Sequence, residues 1–219
     1  MYKTANLFDL NHTIAKEYLE RYEYPWEALP EIKNIIPELI AGLDRSEYTE
    51  LKENVWIHKS VKVAPTAEIM GPAIIGPESE IRHCAFVRDN VIIGAGCVIG
   101  NSCELKNAII FDRSQIPHFN YVGDSILGYH AHMGAGSIVS NLKSDGRNIT
   151  VKDGEEQMET NLRKFGAIIG DNVEIGCNSV MNPGTVIGKN SNIYPLARVR
   201  GQVPENSIYK DEDNVVEKF

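Results

Sequence analysis

Residues 87–105 read VRDNVIIGAGCVIGNSCEL, and their spacing decides the fold. Val87, Ile93, Ile99 and Leu105 recur every six positions, and glycine follows two of them. Two residues before each stands something small or β-branched: Ala85, Val91, Cys97 and Cys103. Outward from this stretch, the frame runs back through Ile81, Ile75, Ile69 and Val63 to Ile57. Forward, it slips by one residue to Ile110, Ile116 and Val122, and again to Leu127, Met133 and Val139. After residues 140–168 it resumes at Ile169, Ile175, Met181, Ile187, Ile193 and Val199. A six-residue period fits neither an amphipathic helix nor a hairpin meander. It fits a parallel β-helix, with one short strand and one corner per hexad and three hexads per triangular coil. Twenty-one hexads predict a mainly β chain of seven coils, about 34 Å long at ~4.8 Å per coil.

Three segments stand outside the period. Residues 1–50 contain "NHTIAKEYLERYE" and "PEIKNIIPELIAGLDR", read as helices. Asn11 or Thr13 lies near the first N-cap, Pro30 opens the second helix, and Pro37 shortens or kinks it. A solenoid end exposes apolar side chains and strand edges, so these helices are expected to form an end cap. The β-helix domain is expected over 51–205, interrupted by a loop at 140–168 with a strand at "NITV" and a turn at "DG". A loop that long inside a compact fold is usually functional. Residues 206–219 are read as a tail.

The net charge of −8 argues against nucleic acid or an anionic membrane as partner, since both call for a basic surface. The start of the chain is too polar for a signal peptide, and no apolar run is long enough to span a bilayer. Cys84, Cys97, Cys103 and Cys177 form no CxxC pair; Cys97 and Cys103 occupy the small interior slot as core filler. A cytoplasmic location with reduced thiols is the expectation.

The frame also places side chains. With the faces of a coil named a, b and c, residues Val87, Leu105, Val122 and Val139 are inward on c. Arg88 and Lys106 each follow one of them, so two cations stack at one corner. That is costly without an anion and points to phosphate, which both side chains are suited to hold. Tyr121 precedes Val122, Asn141 follows Val139, and His118 lies between b and c at a corner that cannot bury its ring. These five are expected along one edge.

The motifs "FVRDN", "IGNSCELKNA", "IPHFNYVGDS", "MGAGSIVSN" and "RKFGAIIGD" carry a resemblance over about residues 55–205. The chain resembles the hexapeptide-repeat acyltransferases. In particular it resembles the C-terminal acetyltransferase half of the bifunctional enzymes that make UDP-N-acetylglucosamine, and the related archaeal sugar-1-phosphate nucleotidyltransferase/acetyltransferases. The resemblance implies a left-handed β-helix, an exception to right-handed crossover, and a homotrimer with active sites between subunits. It implies acetyl-CoA as co-substrate and an amino-sugar 1-phosphate, glucosamine 1-phosphate first, as acceptor. His118 matches the general base; Arg88, Lys106, Tyr121 and Lys164 match phosphate ligands; Glu104 and Asn141 match acceptor-positioning residues; Ala135 matches a contact to the pantetheine arm.

Departures from the family pattern are also expected to matter. His132 stands at the sugar-facing edge where asparagine is usual. Cys177 and Pro195 stand where small residues line the coenzyme channel. The 140–168 loop is longer than in bacterial members, so Lys143 or Arg163 could replace Lys164. No nucleotide-binding domain precedes the repeat, so uridyltransferase activity is not expected. The chemistry agrees with acyl transfer to nitrogen. The amine must be deprotonated and oriented, imidazole suits that, and corner N–H groups could hold the oxyanion. Three readings compete: an acyltransferase on another sugar or sugar nucleotide, a catalytically silent sugar-phosphate scaffold, and a zinc hydrolyase using His118, His130 and His132. The last lacks the expected His-x₄-His spacing, and no metal is expected.

Overall fold

The computed structural model describes residues 1–218. The chain is a left-handed β-helix of stacked triangular coils with a layer of short helices along one side. Parallel ladders build three faces. Face a carries eight strand segments from Val55–His58 to Gln202–Val203. Face b carries eight from Lys62–Val63 to Ser207–Asp211. Face c carries seven from Glu68–Ile69 to Arg198–Val199. Every inward residue of the hexad frame lies in or against one continuous apolar core, from Ile57 to Val199. Cys97 and Cys103 belong to that core, and burial pushes the Cys97 thiol up to about 12. Ser79 fills the same small slot because its hydroxyl donates to Gly94 O (2.8 Å) and accepts from Cys97 N (2.9 Å).

The repeat runs past its expected end. Val203 and Tyr209 continue the inward series, and Ser207–Asp211 pairs in parallel with Asn192–Ile193. Asn214–Glu217 then folds back antiparallel on Ser207–Asp211 and covers its open edge. Residues expected as a tail thus terminate the β-helix.

The N-terminal residues do not sit over an end of the solenoid. They lie along face a. Six consecutive strands there each carry a second apolar residue pointing outward: Ile74, Ile92, Ile109, Ile126, Ile168 and Val186. This stripe forms a second core with Leu7, Leu19, Trp26, Leu29, Ile32 and Ile36. The helices are short: Leu10–His12 and Pro25–Glu31 are 3₁₀, Lys16–Leu19 is a single α turn, and Ile32–Gly42 is the one long helix. Thr13 accepts from Ala15 N at 3.2 Å, while Pro37 lies inside the last helix. At the first coil, Tyr48–Lys52 pairs antiparallel with Val55–His58, so a strand and not a helix protects that edge.

Residues 140–168 complete the cover of face a. Thr150–Asp153 and Glu156–Glu159 form a hairpin that turns at Gly154-Glu155, one residue beyond the start of the "DG" pair. Ile149, Val151 and Phe165 join the second core, where Phe165 stacks on Trp26 at 5.9 Å. Ile109→Ala, at the middle of the stripe and 0 % exposed, is expected to cost about 2–5 kcal/mol in denaturant unfolding. A loss below ~0.5 kcal/mol would mean that the helical layer is not part of the cooperative fold.

Candidate active site

Departures from the six-residue step all fall at one corner, between faces c and a. The steps from Leu105 to Ile110 and from Val122 to Leu127 are five residues. Val139 to Ile169 contains the insertion, and Val199 to Val203 is four residues. In the two shortened coils the strands Glu104–Ile110 and Tyr121–Leu127 run unbroken around the bend. Asn107 and Asp124 absorb it with positive φ (47° and 48°), a region that Asn and Asp tolerate better than most residues.

This bend assembles a polar cluster. Asp124 is the buried hub, with its side chain only 6 % exposed. It accepts from Asn107 Nδ2 (2.9 Å) and from Asn141 Nδ2, and it faces Lys106 Nζ at 3.9 Å. Asn107 also donates to Leu29 O (3.1 Å), which ties the cluster to the helical layer. One coil earlier, Arg88 donates to Glu104 Oε1 at 2.9 Å. The two stacked cations therefore each have a carboxylate partner, so their mutual repulsion is offset within the chain and does not by itself call for a bound anion. Lys164 is exposed beside the same cluster: the next residue, Phe165, donates from N to Asn141 O (3.0 Å), and Gly166 N donates to Asp124 O (2.8 Å).

Glu104 and Tyr121 are register partners on the outside of face c. The Tyr121 hydroxyl and the Asn141 amide converge above Gly123. A Cβ at Gly123 would come within 2.5 Å of the hydroxyl and 2.8 Å of the amide nitrogen, which explains glycine in the His-x-x-Tyr-x-Gly-Asp stretch. Burial pushes the Tyr121 phenol up, and the charges of Asp124 and Glu104 add to this against Arg88 and the Asn141 hydrogen bond. A raised phenol pKa keeps the proton, so Tyr121 remains an O–H donor at neutral pH. Its contribution to stability is fully present below the unfolded phenol value of ~10 and is lost as pH rises through the higher folded value. Ultraviolet titration of the wild type minus Tyr121→Phe is expected to show this phenol ionising above ~10; a transition at or below ~10 would contradict it.

His118 is not on that edge. It ends the face-b strand Gln115–His118, at the corner between b and c. The site residues expected along one edge instead occupy both edges of face c, separated by about three residues of strand, or roughly 10 Å. His118 is exposed, and its backbone is pinned. Its N donates to Asn120 Oδ1 (3.0 Å), and its O accepts from Gly136 N (2.9 Å). Asn120, 2 % exposed, spends its amide on Gly134 O (2.8 Å) and Ser137 Oγ (2.9 Å). Below, the Pro117 carbonyl lies directly against Gly100, where any side chain would collide.

Ala135, Cys177 and Pro195 share the His118 corner in successive coils. Asn178 N donates to Ala135 O (2.9 Å), and Leu196 N donates to Cys177 O (2.9 Å). These corners thus stack in line with that of His118 along the axis. The corner N–H groups of Gly136 and Asn178 are already spent on these inter-coil bonds, which removes them as oxyanion donors. His132 lies elsewhere. It is on the outside of face b, in register with Gln115 and Glu174, and its Nδ1 is 2.8 Å from Glu174 Oε2. Within one chain it does not join His118 or the Asp124 cluster. Among the described residues, no three His, Cys, Asp or Glu side chains form a metal-ligand group, and no helix is long and apolar enough to cross a membrane.

Family models agree with this architecture. Residues 69–156 match the GMPPB C-terminal domain, and residues 166–201 match the bacterial transferase hexapeptide (six repeats). The chain thus carries GMPPB C-terminal and hexapeptide-repeat domains. Among relatives of this hexapeptide-repeat protein is the "Bifunctional protein GlmU" of Methanococcus vannielii, 33 % identical over 199 residues that cover 89 % of this chain and 47 % of the relative. Another is a "Bifunctional sugar-1-phosphate nucleotidylyltransferase/acetyltransferase" of Sulfurisphaera tokodaii, 32 % identical over 93 % of this chain and 54 % of the relative. The chain spans about half the length of the relatives it matches. Among solved structures, AntD, an N-acyltransferase from Bacillus cereus, matches 74 % of this chain and 78 % of its own, at 18 % identity and a TM-score of 0.43.

Asp124, Asn107 and Asn120 were not among the residues singled out from sequence. Asp124 had a signal, since it closes the His-x-x-Tyr-x-Gly-Asp stretch at a frame slip. Asn107 marks the other slip. Asn120 had none, because its role is to satisfy carbonyls of the next coil.

Proposed function

We infer that this chain transfers the acetyl group of acetyl-CoA to the amine of an amino sugar carrying a phosphate on C1, with glucosamine 1-phosphate the first acceptor to test. The observation that carries this reading is the division of labour across face c. An exposed imidazole on a pinned backbone holds one edge, and a cluster of cations, phenol and amides built on Asp124 holds the other. An amino sugar phosphate has the same two ends. Arg88, Lys106, Tyr121 and Lys164 would hold the phosphate, and Glu104 and Asn141 the sugar. Arg88 and Lys106 keep donors beyond those facing Glu104 and Asp124, and Lys164 adds a further cation.

In the reaction the amine lone pair attacks the thioester carbonyl and a C–N bond forms. His118 takes the amine proton, the C–S bond breaks, and the thiolate leaves as coenzyme A, taking its proton back from the His118 imidazolium. The coenzyme arm would follow the corner through Ala135, Cys177 and Pro195. Self-association belongs to the same reading. Face a is covered by the chain's own N-terminal layer and hairpin, which leaves faces b and c to meet copies of the chain as a trimer. His132 and Glu174 on face b could then reach a site on a neighbour's face c. The deciding assay is thiol release from acetyl-CoA with glucosamine 1-phosphate. Saturable release supports the reading, and no release with any amino-sugar phosphate rejects it.

A further inference from the structure

The corner that carries the Asp124 cluster continues toward the C-terminus into a cleft of about 410 Å³. That volume is within the range of small-molecule sites. The cleft opens between the first residues of the insertion and the corners of the next two coils, and Ser140 and Leu142 on its wall flank Asn141. It is therefore continuous with the proposed phosphate end of the site.

Its lining is of two kinds. Lys143 and Arg200 are cations, and Arg200 follows the inward Val199, the same corner position that Arg88 and Lys106 hold in earlier coils. Lys143 Nζ donates to Asn148 O at 2.8 Å and keeps two further protons. Arg198 pairs with Glu212 at 3.5 Å, whereas among the described residues no carboxylate lies within 4.0 Å of the Arg200 guanidinium. The one acid on the wall, Asp145, is turned to Arg147, accepting from its N at 3.0 Å. Beside the cations stand two apolar groups, Leu142, which is 44 % exposed, and Pro183. An inorganic anion would leave these unused. A nucleotide would not, since its phosphate suits the cations and the face of its base suits the apolar pair.

We propose that this cleft binds the nucleoside end of the acceptor, so that the preferred substrate is an amino sugar linked through its C1 phosphate to a nucleoside diphosphate. The proposal rests on the acyltransferase reading above and refines its substrate class. The first phosphoryl group lies with Lys106, Tyr121 and Asn141. The second passes to Lys143 and Arg200, and the base lies against Leu142 and Pro183. The chemistry of transfer is unchanged.

The test compares UDP-glucosamine with glucosamine 1-phosphate as acceptors, in wild type and Arg200→Ala. In wild type kcat/KM is expected to favour the nucleotide-linked acceptor by about tenfold or more. Arg200→Ala is expected to lower that ratio by about tenfold, the effect of one charge-assisted hydrogen bond. A wild-type ratio at or below one, or a ratio that Arg200→Ala does not move, would overturn the proposal. If neither acceptor is acetylated, the acyltransferase reading fails separately, and calorimetry with UDP alone decides the cleft. Binding that weakens about tenfold in Arg200→Ala upholds a nucleotide site. No binding to wild type, or equal displacement by pyrophosphate, refutes it.

Discussion

Replacing His118 by alanine is expected to lower kcat for acetyl transfer by about 10²–10⁴, with little change in the acceptor KM. In the proposed reaction the imidazole takes the amine proton, whereas the proposed phosphate ligands stand on the opposite edge of face c and are untouched by the change. The change should leave the fold alone. The side chain is exposed, and the corner is held by backbone contacts to Asn120 and Gly136 that alanine preserves. An unfolding free energy within about ±0.5 kcal/mol of wild type, the range of a neutral surface substitution, is therefore expected. Thiol release under saturating acetyl-CoA measures the rate. Unchanged turnover in His118→Ala would sink the general-base assignment.

Asp124→Ala is expected to produce the largest loss of stability among the site residues. It leaves two amides, on Asn107 and Asn141, and the Lys106 ammonium facing an empty position. Breaking a buried charge pair from one side costs about 3–5 kcal/mol, and partial exposure of Lys106 puts the expectation near ~3. Alanine also lacks the ability of aspartate to adopt the positive φ found here, which adds to the loss. Asp124→Asn separates the effects, since it keeps the shape and the backbone preference but removes the charge. Its melting temperature should fall less than that of Asp124→Ala, while its acceptor KM should rise because Lys106 and Asn141 lose the group that orients them. Equal stability of Asp124→Ala and wild type would show that the hub is not structural.

Much of the fold was legible because a hexad repeat is a local rule. Each inward residue from Ile57 to Val199 could be named from spacing alone, and each is in or against the core. The N-terminal layer lies along face a and not over an end of the solenoid for a physical reason. Its helices were recognisable, but their docking surface lay in the repeat itself, as the outward Ile74, Ile92, Ile109, Ile126, Ile168 and Val186. A second apolar residue in six consecutive face-a strands is the available signal. The frame slips were also visible as irregularities, and their common position at one corner gives them meaning.

The sequence by itself determined the solenoid, its inward side chains, and the coil on which each polar residue stands, because a strict period converts position in the chain into position along an axis. Tertiary structure alone decided which of these side chains meet. It set His118 across face c from Lys106 and Asn141, made Asp124 the buried hub, and kept His132 on face b. Those outcomes depend on where a coil loses a residue and on which carbonyls and amides need partners, and such balances are struck between coils.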